Sequence, residues 1–212
     1  MLDPASDTPA SDTKDRLLDA AERLFAAGGV GATSLRAVTA EAGVNVAAVH
    51  YHFGSKQELL RAVFVRRIAP LNEERLKRLD ALEAQPDGPT LEATLEALVT
   101  PSIEFAEAHP QLSELVGLLY SEPVDEARAL AHEVFAETMG RFCAALGRVL
   151  PAVPPADIEV RFAFVVGAMV HVLSRRAPLP HEPAEMRDAL LRFLAAGLRA
   201  PADPRAPRRG AP

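Results

Sequence analysis

Residues 33–53, TSLRAVTAEAGVNVAAVHYHF, spell two short helices separated by a turn. The first is predicted over Ser34 to Ala42 with Thr33 as its cap, and the second over Val46 to His52 with Asn45 as its cap. Gly43 stands where the chain must turn sharply, so that the second helix leaves at a steep angle to the first. Leu35, Val38, Ala42, Val44 and Val49 are spaced to lock the pair together. Once they are buried, the second helix presents a small and polar face of Asn45, Ala47, Ala48 and His50, slim enough to enter a DNA major groove about 12 Å wide. Val46 suits a thymine methyl, while Tyr51, His52 and Lys56 suit phosphates.

Outward from this pair, alanine, leucine, glutamate and arginine recur at helical spacing and period-two strand patterns are almost missing. The chain reads as all-α, with about nine helices. One precedes the pair, Lys14 to Ala27, with Thr13 or Asp12 as cap, an apolar stripe of Leu17, Ala21, Leu24 and Phe25, and Gly28-Gly29 as its stop. A long helix follows from Ser55, where Ser55-Lys56-Gln57-Glu58 has the capping-box pattern, to about Ala84. Further helices are expected at 90–108, 111–120, 123–150, 157–176 and 184–199, divided by Pro110, Pro123, Pro151-Pro154-Pro155 and Pro178-Pro180-Pro183. The expected organisation is a disordered tail over 1–13, a helix-turn-helix DNA-binding domain over 14–60, a ligand-binding and dimerisation domain over 61–199, and a disordered tail over 200–212. No flexible linker separates the two domains.

The 212-residue chain has a net charge of -6, which at first sight opposes a nucleic-acid partner. Its distribution points the other way. Residues 14–68 hold eight Lys/Arg against five Asp/Glu, a net +3, whereas 1–13 carry -3 and 69–212 carry -6. Cys143, the single cysteine, sits in an apolar helical stretch and reads as a buried reduced thiol, which together with the polar N-terminus suggests a cytoplasmic protein. Phe162 to Leu173, the most apolar run, is far short of the ~20 residues of a bilayer span, so no membrane association is expected. His50 and His52 are two apart and do not share a helix face, so neither a metal site nor a cofactor is expected. Gly28-Gly29-Val30-Gly31 lacks the Lys-Ser/Thr of a phosphate loop, and no nucleophile elbow or other catalytic motif appears.

Thr33-Ser34-Leu35-Arg36, then Ala42-Gly43-Val44-Asn45-Val46-Ala47-Ala48-Val49-His50-Tyr51-His52-Phe53, with Lys56 and Leu59, resemble the N-terminal region of the TetR family of transcriptional regulators over about residues 15–64. The resemblance implies a DNA-contacting set of Thr33, Ser34, Arg36, Asn45, Val46, Ala47, Ala48, His50, Tyr51, His52 and Lys56. Arg36 would reach into the major groove, Val46, Ala47, Ala48 and His50 would face bases or adjacent phosphates, Tyr51, His52 and Lys56 would hold the backbone, and Phe53 would plug the core. The family often has tyrosine where His50 stands. The resemblance also implies a homodimer on double-stranded operator DNA, paired through the last two helices by Phe162, Val166, Met169, Val170, Met186, Leu190, Phe193 and Leu194. Scattered matches, among them Arg67-Ile68-Ala69-Pro70-Leu71-Asn72, Arg75, Leu119-Tyr120-Ser121-Glu122-Pro123 and His171, are similar to the fatty-acid-responsive, PsrA-like repressors. They imply a hydrophobic effector, such as a long-chain fatty acid or acyl-CoA, lined by Phe105, Leu119, Tyr120, Phe164 and His171. Two other classes stay open on spacing alone: a helical dimeric adaptor that does not bind DNA, and an enzyme.

Overall fold

The computed structural model describes residues 9–110, 125–173 and 183–201. Among them there are eight helices and no strand: α1 (Pro9–Ala32), α2 (Leu35–Ala42), α3 (Val46–His52), α4 (Lys56–Glu83), α5 (Leu91–Ala108), α6 (Asp125–Val149), α7 (Pro155–Leu173) and α8 (Pro183–Arg199). The all-α expectation holds. The helix expected at 111–120, with Leu119 and Tyr120, lies outside the described residues, as do 1–8 and the tail beyond 201. Helix α1 begins at Pro9, so Asp12 and Thr13 lie inside it rather than capping it, and residues 9–13 are helical where a disordered tail was expected. Its backbone breaks at Gly29 (φ 79°, ψ 159°), the expected stop, before a last turn to Ala32.

The chain divides into two compact units. One takes the chain up to Pro70 together with His109–Val134, and the other takes Leu71–Ala108 together with the chain from Phe135 onward. The division falls ten residues beyond the expected boundary at 60, and it falls within α4. Pro70 has no backbone N–H, so the Arg66 carbonyl loses its helical partner at that step, and this is where the contacts change sides.

In the first unit α1, α2 and α3 close around Leu17, Ala21, Phe25, Val38 and Val49, none of which is exposed, joined by Leu59, Val63 and Phe64 from α4. Each large side chain removed from water there contributes about 1.5–3 kcal/mol. Arginines of α4 tie it to α1: Arg66 donates to Asp19 at 2.7 Å and Glu22 at 3.2 Å, and Arg67 donates to Glu22 at 3.0 Å. In the second unit α5, α7 and α8 pack through Leu95, Leu98, Ile158, Phe162, Val165, Met169, Leu190, Leu194 and Leu198, with Phe142 and Leu146 of α6 in the same core. Among the described residues no helix is long and apolar enough to cross a membrane.

Candidate nucleic-acid interface

The helix-turn-helix is built by caps. The Ser34 hydroxyl accepts the Ala37 N–H at 3.1 Å and starts α2. Ser34 is therefore the cap, one residue after the Thr33 expected. Thr33 is buried and turned back, donating to the carbonyls of Gly29 (2.9 Å) and Leu24 (3.2 Å) at the end of α1. The Thr33 hydroxyl is thus engaged within its own unit. Its work is to fix where α1 delivers the chain to α2.

Gly43 then ends α2 in the left-handed region (φ 64°, ψ 37°), where its N–H reaches back to the Ala40 and Thr39 carbonyls. A residue of α1 that the sequence reading did not single out completes the turn. The Arg16 guanidinium donates to the Ala42 carbonyl at 2.5 Å and the Gly43 carbonyl at 3.2 Å, placing a cation on the open C-terminal end of α2. Asn45 starts α3 as expected, its Oδ1 accepting the Ala47 N–H at 3.0 Å. Val38, Ala42 and Val49 are buried between the helices and Leu35 and Val44 half-buried, as an interlocked pair requires. Phe53 closes α3 from the core side.

What is left outside is a contiguous polar face. Arg36, Asn45, Ala47 and His50 are exposed, and Val46, Ala48, His52 and Lys56 are half-buried. Tyr51 is 84% exposed, its ring edge-on to His52 with centroids 5.0 Å apart. A tyrosine so displayed has given up the burial that would stabilise it, and its phenol stands in solvent. Lys56 donates to the Gly31 carbonyl at 3.3 Å from the first turn of α4, which Ser55 caps through the Glu58 N–H at 3.1 Å.

The residues expected at a dimer seam are placed differently. Phe162, Val166, Met169, Leu190 and Leu194 point into the core of their own unit, and Val170 and Met186 are half-buried. Of that set only Phe193 stands out, at 69% exposure. Helical periodicity explains the correction: 162, 166 and 169 share one face of α7, while Val160, Phe164, Gly167 and His171, at i, i+4, i+7 and i+11, share the other, which is exposed. Phe164 is 70% exposed there. Phe164 and His171 thus lie on a surface, not in an internal pocket, and Phe105 is half-buried on α5. The second unit also buries one cation. Arg75 donates to Asn72 (3.0 Å), Ser102 (2.6 Å) and the Leu98 carbonyl (3.3 Å), with its guanidinium 5.9 Å from the Phe135 ring centroid. Two open grooves border α5, of about 450 Å³ beside Arg78, Thr100 and Arg187 and about 580 Å³ beside Leu95, Leu191 and Arg199. Both have charged rims and neither is an enclosed apolar cavity. No group of three or more His, Cys, Asp or Glu among the described residues could hold a metal ion.

A displayed recognition helix on a buried three-helix core, followed by a larger helical unit, defines a DNA-binding regulator. Residues 17–63 match the model of bacterial regulatory proteins of the tetR family, and residues 92–197 match a tetracyclin repressor-like C-terminal domain. The chain belongs to the tetR family and is a transcriptional regulator, not an enzyme. It is 31% identical over 141 residues to the HTH-type transcriptional regulator SrpR of Pseudomonas putida, a match covering 66% of this chain and 61% of that one. It is 32% identical over 133 residues to TtgW, an uncharacterized HTH-type transcriptional regulator also of Pseudomonas putida, covering 63% and 90%. The fold is shared with the transcriptional regulator FadR of Bacillus subtilis, solved in complex with stearoyl-CoA, at a TM-score of 0.69, 14% identity and coverage of 86% and 98%.

Proposed function

We propose that this regulator binds a two-fold symmetric operator as a homodimer, represses the adjoining genes, and leaves DNA when a hydrophobic small molecule, of the long-chain fatty acid or acyl-CoA class, occupies its second unit. The observation that carries the DNA reading is the exposed face of α2 and α3, with Arg36, His50 and Tyr51 standing clear of a closed core. Thr33 aside, the expected contact set lies on or beside that face. Arg36 suits the O6 and N7 of a guanine, and Tyr51, His52 and Lys56 suit phosphates.

Dimerisation is supported by the Val160, Phe164, Gly167, His171 face of α7 and by Phe193 on α8. Phe164 and Phe193 are large exposed aromatic rings of the kind a second copy would cover. A two-fold pair also brings two α3 helices to half-sites about 34–36 Å apart, or a multiple of that. The effector class is supported by scattered residues similar to fatty-acid-responsive repressors and by the stearoyl-CoA in the FadR neighbour's structure.

The test is footprinting on DNA flanking the chain's own gene, with and without long-chain fatty acids, acyl-CoAs and small polar metabolites. Protection of two half-sites, lifted by the acyl compounds alone, is the expected result. Protection lifted only by a polar metabolite leaves the regulator and removes the acyl effector. An absence of sequence-specific protection removes the operator reading. A helical adaptor without DNA binding shows that last pattern while remaining a dimer.

A further inference from the structure

We infer that His50 reads a base through an accepting ring nitrogen, taking a hydrogen bond from the exocyclic amino group of an adenine or cytosine in the major groove. The inference rests on α3 being the DNA-reading helix. His50 Nδ1 lies 3.1 Å from the Gly54 carbonyl oxygen. A carbonyl only accepts, so Nδ1 carries the proton. In a neutral imidazole the other nitrogen, Nε2, is then an acceptor.

Two features hold the Nδ1–H bond to Gly54 in place. Gly54 sits in the left-handed region (φ 74°), and its carbonyl oxygen lies within hydrogen-bond reach of the His50 ring. Its own N–H is engaged with the Val49 and His50 carbonyls at 3.2 and 3.1 Å, so the acceptor that orients His50 is itself anchored. On the outer side, His50 is exposed and Nε2 has no partner among the described residues. Ala47, three residues earlier on the same face, is too small to cover it. A phosphate oxygen only accepts, and so offers an accepting nitrogen nothing. The major-groove donors are the adenine N6 and cytosine N4 amino groups. His50 is thus a specificity determinant, whereas a tyrosine at this place would offer a hydroxyl that donates to phosphates equally well.

The test is a double-mutant cycle at pH 8, with the full-length protein and the half-site it selects from random DNA. His50→Asn keeps an amide nitrogen near the place of Nδ1 and removes the outer end of the ring. Each adenine and cytosine is replaced in turn by an analogue lacking the exocyclic amino group, purine or pyrimidin-2-one. At one position per half-site, amino deletion should cost wild type roughly five- to tenfold more affinity than it costs His50→Asn. Equal losses in both proteins at every position overturn the inference. So does a His50→Asn variant that weakens operator and random DNA alike with a shallower salt slope, since that marks a phosphate contact. Wild type that selects no sequence overturns the operator reading on which this inference rests, and it does so before His50 is altered.

Discussion

Gly43→Ala should destabilise the protein by about 2–3 kcal/mol, through two separable causes. The first is backbone strain: at φ 64° an alanine pays about 1–2 kcal/mol for the left-handed region. The second is steric. A Cβ on Gly43 would lie 2.9 Å from Arg16 Nη2. That atom is the far end of a flexible chain and can move away, so the cost is capped at what Arg16 gives up, its bonds to the Ala42 and Gly43 carbonyls. The Arg16 side chain is 46% exposed, which leaves roughly 1 kcal/mol for that loss after solvent screening. Gly54 supplies the control, because its φ of 74° imposes the same strain while a Cβ there meets nothing within 4 Å. Gly54→Ala should therefore cost about 1–2 kcal/mol, and in an Arg16→Ala background Gly43→Ala should fall to the same value. Thermal melts resolve this, since 1 kcal/mol moves the midpoint by about 2–4 °C in a chain of this size. A Gly43→Ala midpoint equal to that of Gly54→Ala with Arg16 present would refute the role given to Arg16.

Phe193→Asp should leave a folded monomer by sedimentation and circular dichroism, whereas Val166→Asp, placing an unpaired charge in the core, should cost several kcal/mol and unfold the second unit; a folded Phe193→Asp dimer would move the interface elsewhere. Lys56→Ala should weaken operator and random DNA equally and reduce the salt slope by about 1, while Arg36→Ala should cost about 1–3 kcal/mol on the operator alone and relax one base pair per half-site. Cys143 has its thiol pushed above the ordinary range by burial and, secondarily, by Glu159, so iodoacetamide at pH 8 should alkylate it far more slowly in the folded than in the urea-unfolded protein. Glu133, Glu74 and Glu92 are each held below the ordinary carboxylate range, first by hydrogen bonds from Arg61, Arg78 and Arg199 respectively. A depressed folded value contributes stability above the carboxylate range that is lost as pH falls through it, so the melting midpoint should decline on acidification, and less steeply at high salt; a midpoint that rises on acidification would contradict these pairings.

The local devices were legible because they are written in neighbouring residues. Gly43 at the turn, Asn45 capping α3, Ser55 capping α4 and the Val38, Ala42, Val49 lock all act within a few positions of themselves, where helical geometry leaves little choice. The cap moved from Thr33 to Ser34 because each can cap, and only the position of the end of α1, with carbonyls awaiting a donor at Leu24 and Gly29, drew the Thr33 hydroxyl inward. Arg16 was invisible for the same reason at longer range: its partners lie 26 and 27 residues away in sequence. The last two helices were misread at the level of faces. Leu, Val and Phe surround α7 on nearly every side, so composition states that much of it must be covered, but not by which neighbour. Packing against α5 and α8 within the same unit took Phe162, Val166 and Met169, and left Phe164 and Phe193 in solvent. Likewise nothing local tells a buried Arg75 from a surface arginine. Its burial follows from Leu98 and Ser102 arriving on α5 with acceptors that can satisfy a desolvated guanidinium.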